Sequence, residues 1–308
     1  MKKKFGFDQK WESNLDPGLS QTPAETIKKN LERRAPLVNE NLVFLNKFPM
    51  PSWIELSIID VCNRSCVFCP KSNESIAPNT FQLMSRKIIE KISSDLKAIN
   101  FNGSITLCGY GEPLLHKDIN FIVAELAKSG SVEIVTNGDT ISKKIIDSLY
   151  SSGAKKILIS MYDGPEQVDK FEKIMSETNV PDNFVILRDR WYKEDEDFGV
   201  KLTNRSGTIN IGIQKEIKST EQCFYPAYQI LIDWNGDVFL CPQDWQRRMT
   251  MGNVMQQDIY EIWTGKILTK YRKNLLKGLR CLNPCLSCNA DGKLLGKNHA
   301  KAWKEIYS

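Results

Sequence analysis

No stretch of the 308-residue chain approaches the roughly eighteen uninterrupted apolar residues of a membrane-spanning helix. Nor does it open on a secretory signal, because Met1-Lys2-Lys3-Lys4 runs into Phe5-Gly6-Phe7-Asp8 instead of an apolar core. Charge of one sign is also lacking. The 42 basic and 37 acidic residues leave a net +5, and the basic ones are scattered, so neither a nucleic-acid partner nor an acidic membrane is called for. Low-complexity tracts are missing, as is any repeat beyond an alternation of strand-like and helix-like segments. With 41% hydrophobic and 26% charged residues the chain is neither disordered nor fibrous, and its length suits one large domain and a smaller one. These absences predict a cytoplasmic protein.

What the sequence does have is nine cysteines: Cys62, Cys66, Cys69; Cys108; Cys223, Cys241; and Cys281, Cys285, Cys288. In a reducing compartment such clusters point to metal ligation before disulfides.

Three regions are expected. Residues 1–50 form an extension in which Thr22-Pro23-Ala24-Glu25 reads as a capped helix start, the helix packing on the outside of the larger domain. Across 51–215, short β-branched runs at 53–59, 104–108, 132–135, 156–161, 184–187 and 208–213 give six candidate strands. Amphipathic segments at 85–99, 119–128, 142–151 and 166–176 lie between them. Repeated strand-then-helix implies an α/β fold with parallel strands, a partial six-unit TIM-like barrel whose ligands collect after the strand ends. From 216 to 308 the rhythm breaks into a small α+β domain. Asn235-Gly236 between two apolar runs signals a β-hairpin, a helix is predicted over 258–277, and a cysteine-dense end completes the chain.

Cys62-Asn63-Arg64-Ser65-Cys66-Val67-Phe68-Cys69 comes directly after the first strand, with spacing C-x3-C-x2-C. Three thiolates can hold a cubane iron-sulfur cluster that normally takes four cysteines, leaving one iron open. A structural zinc site or buried unligated thiols are the alternatives.

This segment, with the aromatic Phe68 before the last cysteine, resembles the radical S-adenosylmethionine (radical SAM) enzymes, and the resemblance extends over 53–213. It implies that Cys62, Cys66 and Cys69 hold a [4Fe-4S] cluster whose open iron binds S-adenosyl-L-methionine, and that reductive cleavage yields a 5′-deoxyadenosyl radical. An electron donor such as flavodoxin or ferredoxin is implied as partner. Gly109-Tyr110-Gly111-Glu112-Pro113 after the second strand looks like the family's Gly-Gly-Glu-Pro motif, whose backbone meets the cofactor's amino group, with Tyr110 replacing a glycine. By the same resemblance Asn137 and Ser160 stand at cofactor-contacting strand ends. Arg188, Arg190 and the Asn204-Arg205 pair are candidates for gripping the cofactor carboxylate or a polar substrate, while His116 reads as a surface histidine on a loop.

In the tail, Cys223 and Cys241 bracket the hairpin, and Cys285-Leu286-Ser287-Cys288 returns after the helix. Two such pairs suit a closed cluster or a tetrahedral zinc, which spacing does not separate. The region 223–292 resembles the auxiliary-cluster domain called twitch or, when longer, SPASM. The longer form needs more than the five cysteines present here, so the resemblance implies one auxiliary [4Fe-4S] cluster on Cys223, Cys241, Cys285 and Cys288. Cys281 is then spare, or a substitute ligand.

A fully ligated cluster has no site for substrate and can accept an electron. The expected reaction is therefore oxidation of a hydroxyl-bearing carbon in a small polar substrate, a sugar or aminocyclitol, to a ketone. One alternative is epimerisation, with Cys281 or Cys108 returning a hydrogen atom. Another is maturation of a ribosomal peptide, against which stand the roughly 50 residues before the barrel, short for a peptide-recognition domain. A non-catalytic zinc module is the fourth, and iron analysis separates it.

Overall fold

The computed structural model describes residues 22–308. Helix α1 (Pro23–Asn39) opens it, the Glu25 N–H donating to the Thr22 hydroxyl at 3.3 Å. A short antiparallel pair, β1 (Phe44–Leu45) and β2 (Phe48–Pro49), leads into β3 (Trp53–Ser57). Then helix and strand alternate: α2 (Arg86–Ala98), β4 (Ser104–Leu107), α3 (Ile119–Leu126), β5 (Ser131–Thr136), α4 (Lys143–Ser151), β6 (Lys156–Met161), α5 (Gln167–Ser176) and β7 (Val185–Asp189). Ser85 and Ser142 cap α2 and α4, and α2 buries Ile89, Ile92 and Leu96. Strands β3 to β7 are parallel and adjacent in chain order, as crossover helices require.

The sixth parallel strand is not at 208–213. That run is broken by Gly212 at φ +77° and comes after a tight turn, and its Ile213 is exposed. The place beside β3 is taken instead by the first arm of the predicted hairpin. After α6 (Tyr225–Tyr228), β8 (Gln229–Asp233) pairs parallel with β3, Trp53 opposite Gln229 and Ser57 opposite Asp233. It then turns through Gly236 into β9 (Asp237–Phe239), and β10 (Thr250–Asn253) adds to β9. One eight-stranded sheet results, in the order β10-β9-β8-β3-β4-β5-β6-β7. The tail is thus fused to the barrel-like part through its backbone ladder.

The expected helix over 258–277 is two, α7 (Ile259–Thr264) and α8 (Lys266–Leu276), because Gly265 takes extended backbone between them. Helix α9 (Lys297–Tyr307) closes the chain, and its Trp303 with Trp263 sandwiches the buried Arg272 guanidinium at 3.7 and 4.5 Å.

Helix α1 lies against the sheet with one face turned in, burying Thr26, Arg33 and Val38. Thr26 donates to both carboxylate oxygens of Asp189 at 2.8 Å, Arg33 reaches Glu133 at 2.6 Å, and Ile27, Asn30, Leu31 and Arg34 line a cleft bordered by β3 and the ends of β5, β6 and β7. The inward face mixes apolar Ile27, Leu31 and Val38 with polar Thr26, Arg33 and Arg34, and acidic residues of the sheet supply partners to Thr26 and Arg33. Among the described residues no helix is long and apolar enough to cross a membrane.

Candidate active site and cluster sites

The loop carrying Cys62, Cys66 and Cys69 leaves the carboxyl end of β3. Asp60 accepts from the backbone of Thr80 and Gln82 at 3.1 and 2.9 Å, and the buried Lys71 donates to the carbonyls of Asp60 and Pro78, closing the loop on itself. The Cys62 N–H donates to Asn79 at 3.2 Å. Arg64, inside the triplet, bridges outward to Asp139 and Asp163 after β5 and β6, while Asn63 donates to Asp139 at 2.8 Å. Burial raises the pKa of all three thiols, the neighbouring thiols add to it at Cys62 and Cys66, and Cys66 is pushed up to about 11.

The second strand end lies against the first. Gly109 sits at φ +98°, where a Cβ would stand 2.7 Å from that of Ser57, and a Cβ on Gly111 would stand 2.3 Å from the Ile59 carbonyl oxygen. Only glycine permits this approach, which leaves backbone open where a cofactor amino group would need acceptors. Tyr110 turns away. Its fully buried ring stacks edge-on to Trp245 at 4.8 Å, lies under Arg247 at 4.6 Å, and its hydroxyl donates to the Asp244 carbonyl at 2.9 Å. The glycine-replacing residue is a strut to the tail. Glu112 is likewise engaged within the protein, accepting from the Thr136 hydroxyl at 2.7 Å and the Asn137 N–H at 2.9 Å.

Asn137, Ser160 and Arg188 are each buried at the expected strand ends. Asn137 donates to Asn63 at 2.8 Å and stands 4.0 Å from the Cys62 sulfur, and Arg188 donates to Ser160 at 2.8 Å. Phe68 packs against Tyr162 and Phe198, ring centres 5.7 and 4.9 Å apart. Phe68, Gly109, Ser160 and Arg188 border one cleft of about 1820 Å3, together with Cys108, Glu55 and Arg34. His116 is not a surface residue: it is buried, its Nε2 against the Met84 carbonyl at 3.1 Å, and its burial lowers its pKa.

Cys223, Cys241, Cys285 and Cys288 are all buried and line a single small cavity. Its backbone wall is tight, since a Cβ on Gly292 would stand 2.3 Å from the Cys223 sulfur. Arg280 borders the cavity, its guanidinium donating to the carbonyls of Glu221 and Ala290 at 2.9 Å, and its charge opposes the burial that raises Cys223 to about 11. Four thiols of matched burial beside a fixed cation are the donor set a fully ligated cluster takes. Cys281 is exposed and lies outside both spaces, whereas Cys108 lies in the cleft. Among the described residues no three His, Cys, Asp or Glu side chains converge on a point that would hold a single metal ion.

Sequence reasoning missed Arg64, Arg280, Arg34 and Glu55. The available signal for Glu55 was a lone charge inside a wholly apolar strand, and for Arg64 its place within the cysteine spacing.

A family model of the Radical SAM superfamily matches residues 56–186, and one of an iron-sulfur cluster-binding domain, SPASM, matches 223–289. The S-adenosyl-L-methionine-dependent 2-deoxy-scyllo-inosamine dehydrogenase of Niallia circulans is 29% identical over 242 residues, 77% of this chain and 92% of that protein. A probable GTP 3′,8-cyclase of Pyrobaculum aerophilum is 29% identical over 143 residues, 46% of this chain and 43% of the other. The crystal structure of BtrN in complex with AdoMet and 2-DOIA superposes with a TM-score of 0.68 at 25% identity, covering 82% of this chain and 98% of that one. Streptococcus suis SuiB bound to its precursor peptide SuiA shares the fold alone, with a TM-score of 0.57 at 16% identity over 78% of this chain and 70% of that one. Both domain models coincide with the two cysteine sets, so this chain carries a Radical SAM superfamily domain over 56–186 and a SPASM-type iron-sulfur cluster-binding domain over 223–289.

Proposed function

We propose that the protein is a radical SAM dehydrogenase that oxidises a hydroxyl-bearing carbon of a sugar or aminocyclitol to a ketone. One observation carries the reading: Tyr225, Gln243 and Ala290 border both the cleft and the four-thiol cavity, so a single layer of residues separates substrate from the auxiliary site. The Niallia circulans relative, named for dehydrogenation of an aminocyclitol, supports it.

When bound at the triplet, S-adenosylmethionine and its [4Fe-4S] cluster supply a hydrogen-abstracting radical, and the auxiliary [4Fe-4S] cluster supplies an acceptor for one electron. The chain's own residues do the rest. The 109–111 backbone, Asn137, Ser160 and Arg188 orient the cofactor, and Phe68, with Tyr162 behind it, keeps water from that wall of the cleft. Glu55 faces the cleft, and burial raises its carboxyl pKa against the lowering field of Arg34. It is placed to take the hydroxyl proton on a carboxylate oxygen as the ketone forms. Loss of one hydrogen atom, one proton and one electron balances the two-electron oxidation. Cys223, Cys241, Cys285 and Cys288 would hold the auxiliary cluster, residues 51–215 serving the radical and 216–308 the electron. A flavodoxin or ferredoxin would feed the first cluster, which fits a reducing cytoplasm.

A second reading, epimerisation, is favoured by one observation: Cys108 lies in the cleft, and burial pushes its thiol well up, holding it in the protonated form a hydrogen donor needs. Anaerobically reconstituted enzyme supplied with amino- and hydroxyl-bearing cyclitols and sugars decides between them. A product two hydrogens lighter, equimolar with 5′-deoxyadenosine and retained in Cys108→Ala, supports the dehydrogenase. A product of unchanged mass that takes deuterium from the solvent refutes it.

A further inference from the structure

Seven arginine or lysine side chains line the cleft against two carboxylates, Glu55 and Asp291. Most of the cations have local duties. Lys201 stands 3.8 Å from Asp291, Lys218 is 3.1 Å from Glu221, Lys215 pairs with Asp197, and Arg190 donates to the Asp189 carbonyl. Arg188, bonded to Ser160, stands where the cofactor is expected. Arg34 and Arg205 differ. Arg34 stacks on Trp53 at 4.3 Å and pairs loosely with Glu55 at 4.0 Å, yet its Nε and Nη2 are buried without a hydrogen-bond partner. The Nε of Arg205 is buried and unpartnered as well.

The chain is strained to present Arg205. Arg205 and Ser206 sit at φ +45° and +54°, consecutive left-handed conformations that non-glycine residues rarely adopt. Tail residues hold the turn: Arg248 and Ser287 both donate to the Ser206 carbonyl, at 2.5 and 2.7 Å, and Asn204 donates to the Ser287 carbonyl at 2.7 Å. Arg205 lines the same cleft as Phe68 of the triplet loop and Glu55 of β3. That is the space a substrate must enter to meet both cofactor and acceptor.

We propose that the substrate carries an anionic group, phosphate or carboxylate, that Arg205 and Arg34 grip. This deepens the dehydrogenase reading and rests on it for the hydroxylated part of the substrate. Unmade N–H donors on a partly desolvated guanidinium are costly, and two oxygens of a carboxylate or phosphate satisfy them in pairs. An uncharged polyol leaves them unmade, so among sugars and aminocyclitols one that bears an anionic group suits the cleft.

The test is binding without turnover, so that an error in the reaction type leaves its outcome untouched. Inorganic phosphate, glucuronate and neutral myo-inositol are titrated by anaerobic calorimetry into holoenzyme saturated with S-adenosylmethionine. At least one of the two anions should bind saturably and more weakly as salt rises, with myo-inositol much weaker. Phosphate binding alone identifies a phosphoryl substrate, glucuronate binding alone a carboxylate. Arg205→Gln should weaken the anion at least about tenfold while Arg205→Lys retains part of it. Should Arg205→Gln fail to keep its clusters, Arg34→Gln, expected to show the same loss, decides. The proposal is overturned if neither anion binds, if the bound anion displaces S-adenosylmethionine, or if both Gln variants keep full anion affinity. It is equally overturned if Arg205→Gln only shifts the reduction potential of the triplet cluster, which would make Arg205 that cluster's counter-ion.

Discussion

Arg64 donates to both carboxylate oxygens of Asp139, Nε at 2.7 Å and Nη2 at 2.6 Å, and so fastens the middle of the cysteine triplet to the turn after β5. The same guanidinium reaches both oxygens of Asp163, and both carboxylates share one cation. Arg64→Ala should loosen the loop without removing a ligand: iron is retained, and S-adenosylmethionine affinity falls about tenfold, in line with loss of a charge-assisted bidentate pair. Arg64→Lys, with one charge point and no fork, should recover only part of it. Equilibrium binding to reconstituted protein reads this directly, and unchanged affinity in Arg64→Ala would remove Arg64 from the positioning of the cofactor.

Replacing Cys62, Cys66 and Cys69 by alanine removes every thiolate on the first strand-to-helix loop. Formation of 5′-deoxyadenosine should cease, while the four-thiol cavity keeps its own iron. Surviving cleavage in the triple variant would show that the open-iron cluster is elsewhere.

The cysteine loop, five of the six strands and the Asn-Gly turn were legible in the sequence because each is specified locally, by spacing, by β-branched runs and by turn chemistry. The sixth strand was not. Ile230, Leu231 and Ile232 read correctly as a hairpin arm, but their second edge pairs with β3, far back in the chain, and no local pattern announces a non-local ladder. The docking partners of helix α1 were not legible for a related reason: Glu133 and Asp189 lie a hundred or more residues further along the chain. Tyr110 shows the converse case. It departs from the family motif, and its partners Trp245 and Arg247 explain the departure only once the tail is folded against the barrel-like part.

Cys281 and Cys285 separate by position. Cys281 is exposed, and Cys285 is buried in the four-thiol cavity. Cys281→Ser should keep about eight irons per chain, whereas Cys285→Ser should drop towards about four. Cys285→Ser should also spare cofactor cleavage more than product formation, because the first cluster is untouched and the electron acceptor is lost. Iron and sulfide analysis beside product counts makes the comparison, and iron loss in Cys281→Ser would transfer the ligand role to it.

Arg33 and Glu133 form a buried pair at 2.6 Å that ties α1 to the middle of β5. Arg33→Met leaves a buried carboxylate facing an apolar chain, and should cost on the order of 3–5 kcal/mol in urea unfolding. Adding Glu133→Leu should restore most of it, since two apolar groups of similar volume need no partner. A single variant as stable as the parent would mean that α1 does not dock there.

His299 on α9 is fully buried, with neither ring nitrogen hydrogen-bonded, and burial lowers its pKa from 6.5 to about 4. Above the unfolded-state value both states hold a neutral imidazole and the residue is indifferent to pH. As the pH falls below 6.5 the unfolded chain binds a proton that the folded chain refuses, so stability is lost progressively until the folded value is reached. At about pH 5.5 the loss should be roughly 1.4 kcal/mol relative to neutral pH. His299→Gln, which does not titrate, should abolish that increment whatever its own effect on stability. Urea midpoints of parent and variant at the two pH values supply the difference, and equal pH dependence in the two proteins would show that His299 is solvated or partnered in solution.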